Sequence, residues 1–141
     1  MVTEDSSAPE LSWLGEATAV EGPRGTMQLG TSGMCVCNHV LGHLDVAMGE
    51  ALLARCDALI RERRKVRVFC HWGEMTGYDP EVRALCTDWG MKNRGAVVGY
   101  HMLMRDRIVQ LGVEVAAVVL RRVQSYSSAE DFLRAHARFA A

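Results

Sequence analysis

The sequence predicts an α/β fold: a mixed β-sheet of about five strands with four helices, in the order β-β-α-β-α-β-α-β-α. Three observations predict it. A chain of 141 residues with 49% hydrophobic content has the length and apolar content of one domain with its own core. Strand, amphipathic helix and strand follow one another from Met34 to His71, and that βαβ spacing makes the two strands parallel. The run from Val66 to Arg83 then joins a β-branched and aromatic strand to a helix start at Asp79-Pro80-Glu81, where carboxylate, proline and acidic residue each suit a first helical turn.

The elements follow in order. Residues 1–25 carry Glu4, Asp5, Glu10, Glu16 and Glu21 against a single Arg24, with Pro9 and Pro23 and little apolar periodicity. They read as an N-terminal extension, disordered at least to about Pro9, ahead of a domain over 26–141. Ser12-Trp13-Leu14 is its apolar exception, which either clamps onto the domain or a partner or lies exposed. A short strand near Thr26–Leu29 and a longer one near Met34–Leu41 flank the turn signal Gly30-Thr31-Ser32-Gly33. Asp45 caps a helix running to about Arg64, with Leu52, Leu53, Cys56, Leu59 and Ile60 on one face. Val66–His71 is a buried strand, and Trp72–Tyr78 a seven-residue loop containing two glycines.

The helix headed by Asp79 carries Val82, Leu85, Cys86 and Trp89 on one stripe and stops near Gly90–Gly95. Ala96–Tyr100 is the next strand. His101–Gln110 reads as a short helix with Leu103, Ile108 and Leu111 inward and Gly112 at its left-handed end. The apolar run Val113–Leu120 suits a strand covered on both faces. Ser127-Ser128-Ala129-Glu130 is a capping box opening a last helix with Phe132, Leu133, His136 and Phe139 inward.

Composition excludes several classes. A formal net charge of −1 gives no electrostatic case for nucleic acid. The basic cluster Arg61, Arg63, Arg64, Lys65 and Arg67 is first of all a solvated helix end. The longest aliphatic run, Val115–Leu120, falls far short of the roughly 18 residues of a membrane span. Five cysteines with an acidic start predict free thiols in a reducing cytoplasm and no disulfide framework.

Chemistry-bearing patterns are sparse. Cys35, Cys37 and His39 share one strand face, which raises a zinc site, but their spacing of roughly 6.5–7 Å along an ideal strand converges poorly on one ion, so packing is preferred and no metal or other cofactor is expected. Cys70 and His71 are neighbours on a strand and face opposite ways, so they form no thiol–imidazole pair. With no phosphate loop, His-Glu-x-x-His segment or nucleophile elbow, an enzyme is not expected.

Val40-Leu41-Gly42-His43-Leu44-Asp45, a strand ending in Gly-x-Leu-Asp before an amphipathic helix, resembles the start of STAS domains. His71-Trp72-x-x-Met75-x-x-Tyr78-Asp79 with Val82-Arg83, then His101-x-Leu103, Gly112-Val113, Tyr126 and Phe132, resembles the SpoIIAA-like branch of that family, over about 27–139. The branch is also described as related to CRAL-TRIO lipid-transfer domains. The resemblance implies a non-catalytic signalling and regulatory module. In anti-sigma-factor antagonists an Asp-Ser pair opens the second helix and a kinase phosphorylates the Ser. Here Asp79 stands at that phosphoacceptor position and Tyr78 precedes it, so a serine-kinase switch does not carry over.

The leading expectation is therefore partner binding, to another protein or to itself as a homodimer, through Trp72, Glu74, Met75, Tyr78, Asp79, Glu81 and Arg83. The other is a small hydrophobic ligand or lipid held between the sheet and the helices at 79–90 and 102–111.

Overall fold

The computed structural model describes residues 12–140. The expected disorder up to Pro9 therefore lies outside the described residues. A single six-stranded sheet has its strands side by side in chain order: β1 (Glu16–Glu21), β2 (Gly25–Ser32), β3 (Cys35–Leu44), β4 (Val66–Tyr78), β5 (Val97–Met104) and β6 (Val123–Tyr126). The first two pairings are antiparallel and the remaining three parallel. The parallel strands are linked by α1 (Val46–Arg63), α2 (Pro80–Lys92) and α3 (Arg107–Val119), and α4 (Ala129–Phe139) closes the chain.

Each face of the sheet has its own core. On one, Val36, Val40, Val68, Cys70, Trp72 and Met102 pack against Leu52, Cys56, Val82 and Val109 from α1, α2 and α3. On the other, Cys35, Cys37, Phe69 and Leu103 pack beneath Phe132 and Ala135 of α4 and the 3₁₀ turn Ser12–Leu14. Trp13 stands edge-on to Phe132 at 5.3 Å and to His136 at 5.0 Å. The Trp-Leu pair thus clamps onto its own domain.

The fold class holds, and four expectations are corrected. The domain begins earlier than residue 26, because Glu16–Glu21 pairs residue for residue with Thr26–Thr31 as an extra edge strand. That strand is largely exposed and Glu-flanked, so it carries no apolar alternation by which to read it. The hairpin turn lies at Gly33-Met34, after Ser32 pairs with Cys35, and Gly33 takes the positive φ of 59° that the tight turn requires.

The third correction is the largest. Residues 72–78 are strand, with Leu41 opposite Glu74 and Leu44 opposite Tyr78, and two register shifts against β3 absorb extra residues of β4. Pairing with a neighbour supplies the ladder hydrogen bonds that this glycine-containing stretch lacks the propensity to promise.

The fourth reverses a helix and a strand. His101–Met104 completes β5, buried between β4 and β6, while the apolar run 113–119 is helical. Asp106 decides this, its carboxylate accepting the amides of Ile108 and Val109 at 2.9 and 3.2 Å and so opening α3 one residue later. Gly112, expected at a helix end, sits mid-helix, where the Tyr78 hydroxyl occupies the space a Cβ would need. Ile108 and Leu111, expected inward, point to solvent.

Under α4, Arg67 donates to His101 Nε2 at 3.0 Å, which leaves the ring proton on Nδ1, 2.8 Å from the Tyr126 hydroxyl. Burial, and then the Arg67 charge, push the His101 pKa from 6.5 down to about 4. The unfolded chain therefore binds a proton that the folded ring refuses, and this stabilisation, complete above pH 6.5, is lost as pH falls toward 4. Thermal denaturation should give a lower Tm at pH 5 than at pH 7, with a smaller difference in His101→Gln; an equal difference in both proteins would remove His101 from the account.

Candidate functional site

The residues singled out at 72–83 separate into two places. Trp72 is buried on the helix-covered face, its indole N–H donating to Asn38 Oδ1 at 2.7 Å, while Asn38 Nδ2 in turn contacts Phe69 O and Cys70 Sγ. Met75 is also buried, and Tyr78 is half-buried over Gly112. These three line a cavity between sheet and helices, so the expected partner surface of exposed aromatics does not form. Glu74, Glu81 and Arg83 are exposed.

Asp79 begins α2 without capping it. Its carboxylate instead accepts from the first amide of α1, Val46 N–H, at 3.2 Å, lies 2.8 Å from His43 Nε2 and takes Arg24 at 3.0 Å. The His43 hydrogen bond first, then the Val46 and Arg24 contacts, hold its carboxyl below the usual carboxylate range. The position that the family resemblance marks for phosphorylation thus holds a carboxylate tying β4 to the start of α1. Asp45 completes that helix start by accepting Met48 N–H at 2.9 Å.

The cavity is about 90 Å³ and lies between the sheet and α1, α2 and α3. Leu52, Cys56, Val82, Met102 and Val113 are among its walls, and Arg83 is the charged residue that reaches its lining. It is several times the roughly 10–15 Å³ that one water needs, yet offers few polar partners to hold water. Burial pushes the Cys86 thiol up to about 11 and that of Cys70 up to about 12, so both are neutral, unreactive wall atoms.

On the opposite face a cluster appears that the sequence did not reveal. His39 and His71 are cross-strand partners whose rings stack at 3.9 Å with 22° between planes, and His39 Nε2 lies 2.7 Å from Glu74 Oε1. Burial first, then neighbouring His39, push the His71 pKa down to about 4, so its imidazole is neutral. Glu74 joins because the first register shift of β4 turns it to the His71 side, and a periodicity of two would put these residues on opposite faces. The set raised from sequence, Cys35, Cys37 and His39, is not brought together in that way. Cys37 Sγ lies 3.3 Å from His136 Nε2 and Cys35 Sγ faces Phe139 O, both beneath α4. Cys70 and His71 do face opposite ways, one in each core.

No family model matches the chain, and no curated protein does. Among solved structures it is similar to an uncharacterised protein of the DUF3478 family from Shewanella loihica PV-4, described as having a SpoIIAA-like fold. The two share 9% identity with a TM-score of 0.56, over 84% of this chain and 90% of that one. The likeness is one of fold, and the fold is SpoIIAA-like. No helix among the described residues is long and apolar enough to cross a membrane.

Because Asp79 links three separate segments, Asp79→Ala should lower the Tm more than Arg24→Ala, whose side chain is mostly exposed. The contribution of a carboxyl held low is present above its unfolded pKa and disappears as pH falls through the folded one, so the deficit of Asp79→Ala should shrink in acid. A deficit independent of pH would assign the effect to packing.

Proposed function

We propose that this chain is a non-catalytic SpoIIAA-like binding domain that holds a small hydrophobic ligand between its sheet and α1–α3, with a regulatory output. The cavity carries the proposal: it is apolar, opens to solvent beside Arg83, and is walled by the three helices that cross one face of the sheet. Arg83 bears on the ligand class. It lies at the cavity, is exposed and forms no ion pair among the described residues, so it suits a ligand with an acidic head and an apolar body. The size favours a short chain or a single ring over a full-length lipid. No arrangement of an activated nucleophile beside a base lines these walls, where the thiols are held protonated by burial.

Partner binding remains as a second reading, moved from 72–79 to α3. Ile108, Leu111, Val115, Val118 and Val119 form an exposed apolar stripe there, with Val118 85% exposed. A second copy of the chain is the occupant proposed, since one self-complementary stripe suffices to close a two-fold dimer.

Native mass spectrometry of protein isolated from cells should show a small co-purifying mass, and octanoate should bind to the stripped protein. Ala116→Phe, which fills the cavity from α3, should weaken octanoate binding at least tenfold while the variant still melts in one cooperative transition. A clean apo mass together with equal octanoate affinity in both proteins would refute the ligand reading. For the second reading, wild type should have the solution mass of a dimer and Val118→Glu that of a monomer. A monomeric wild type would dismiss it.

A further inference from the structure

We propose that His39, His71 and Glu74 form a binding site for a divalent transition-metal ion, zinc being the ion tested, on the sheet face opposite the apolar cavity. The proposal goes beyond the ligand-binding function and does not depend on it.

Three independent features meet at this place. The donor set is two imidazoles and one carboxylate, each able to offer a ligand atom, and these atoms all lie within 4.8 Å of one another. Imidazole nitrogen and carboxylate oxygen are ordinary zinc donors, and three protein ligands leave a further position for water. Four donors around zinc at about 2.0–2.2 Å stand roughly 3.3–3.5 Å apart, so ligation opens the His39–Glu74 pair from 2.7 Å and turns the two stacked rings toward a common point. Glu74, whose side chain is 51% exposed, has the freedom to supply that movement.

The second feature is an unbalanced hydrogen-bond account. Among the described residues, the buried side-chain polar atoms without a partner are His39 Nδ1, both ring nitrogens of His71, and Trp13 Nε1. Three of the four belong to this one pair, and the Trp13 ring stands 6.3 Å from His71. A buried imidazole whose ring nitrogens find no partner forfeits its hydration without replacement. A metal ion at His71 converts one of those orphaned lone pairs into a ligand bond. The carboxylate hydrogen bond from His39 accounts for one ring nitrogen of the pair and leaves the others unexplained.

The third is placement. His39 and His71 are fixed by β3 and β4 at matching register and are nearly fully buried, whereas Glu74 opens to solvent just beyond them. The imidazoles lie inside and the exposed carboxylate at the mouth, which gives an ion an entry path. Arg105 is the nearby cation that opposes binding, and it is exposed, where solvent screens it.

Full-length protein stripped with EDTA should be titrated with zinc by calorimetry and with cobalt by visible absorption. Wild type should take up one zinc per chain with a rise in Tm, and cobalt should give the d–d bands of nitrogen and oxygen ligation without thiolate charge transfer. Glu74→Gln, at an exposed position, should fold as wild type and bind zinc at least tenfold more weakly; His39→Gln should also bind at least tenfold more weakly. Cys37→Ser, which alters the thiols under α4, should bind as wild type. Absence of stoichiometric zinc, equal affinity in Glu74→Gln, or loss of binding in Cys37→Ser would each overturn the proposal.

Discussion

The parallel pairing of β3 with β4, and the two register shifts within it, is the constraint on which the rest of the molecule depends. Up to His39 opposite His71 the two strands keep step; beyond it β4 carries an extra residue before Glu74 meets Leu41, and another before Gly77 meets His43. Each shift exchanges the faces of all residues that follow. Glu74 is thereby delivered beside His71, Met75 enters the helix-covered core, and Tyr78 returns to that same face to cover Gly112. A regular strand would scatter these side chains.

That pairing also sets two faces of different chemistry against one another. The face under α1–α3 is lined by aliphatic, aromatic and neutral thiol groups around a space, which is a surface suited to holding an apolar body. The face under α4 is filled by rings, with Phe69 stacked on His101 at 4.2 Å and Phe132 edge-on to Phe69, Trp13 and His71. Histidines tolerate this burial because most find partners, in Tyr126, Cys37 or Glu74. His71 is the exception, and the metal proposal rests on it.

Asp79 acts through partners that are distant in sequence. At the head of α2, where the resemblance implies a phosphorylatable hydroxyl, a permanent carboxylate is joined to His43, Val46 and Arg24. Its charge serves the N-terminus of α1, a neighbour brought near by the parallel sheet. Such a group is a structural tie. Regulation in this chain, on the proposed function, works through what fills the cavity.

Local rules made much of this legible in the sequence. The α/β class, the βαβ unit, the Asp45 cap, the helix at 80–92 and the last helix all follow from periodicity and side-chain capping within a few residues, and each is present, although the last helix is capped by Ser128 on Asp131 N–H, one residue after the Ser127–Glu130 box. The fold resemblance rested on such short-range patterns, spread along most of the chain. Other features depended on partners distant in sequence. Glu16–Glu21 is a strand only because β2 lies beside it, the stretch beyond Trp72 to Tyr78 is strand because β3 offers it a ladder, and Val113–Val119 is a helix because Asp106 starts it and β5 already occupies the sheet. The cavity and the His39–His71–Glu74 group belong to this second kind. Periodicity fixes which side chains share a face within one element, but only tertiary pairing and its bulges decide which faces meet.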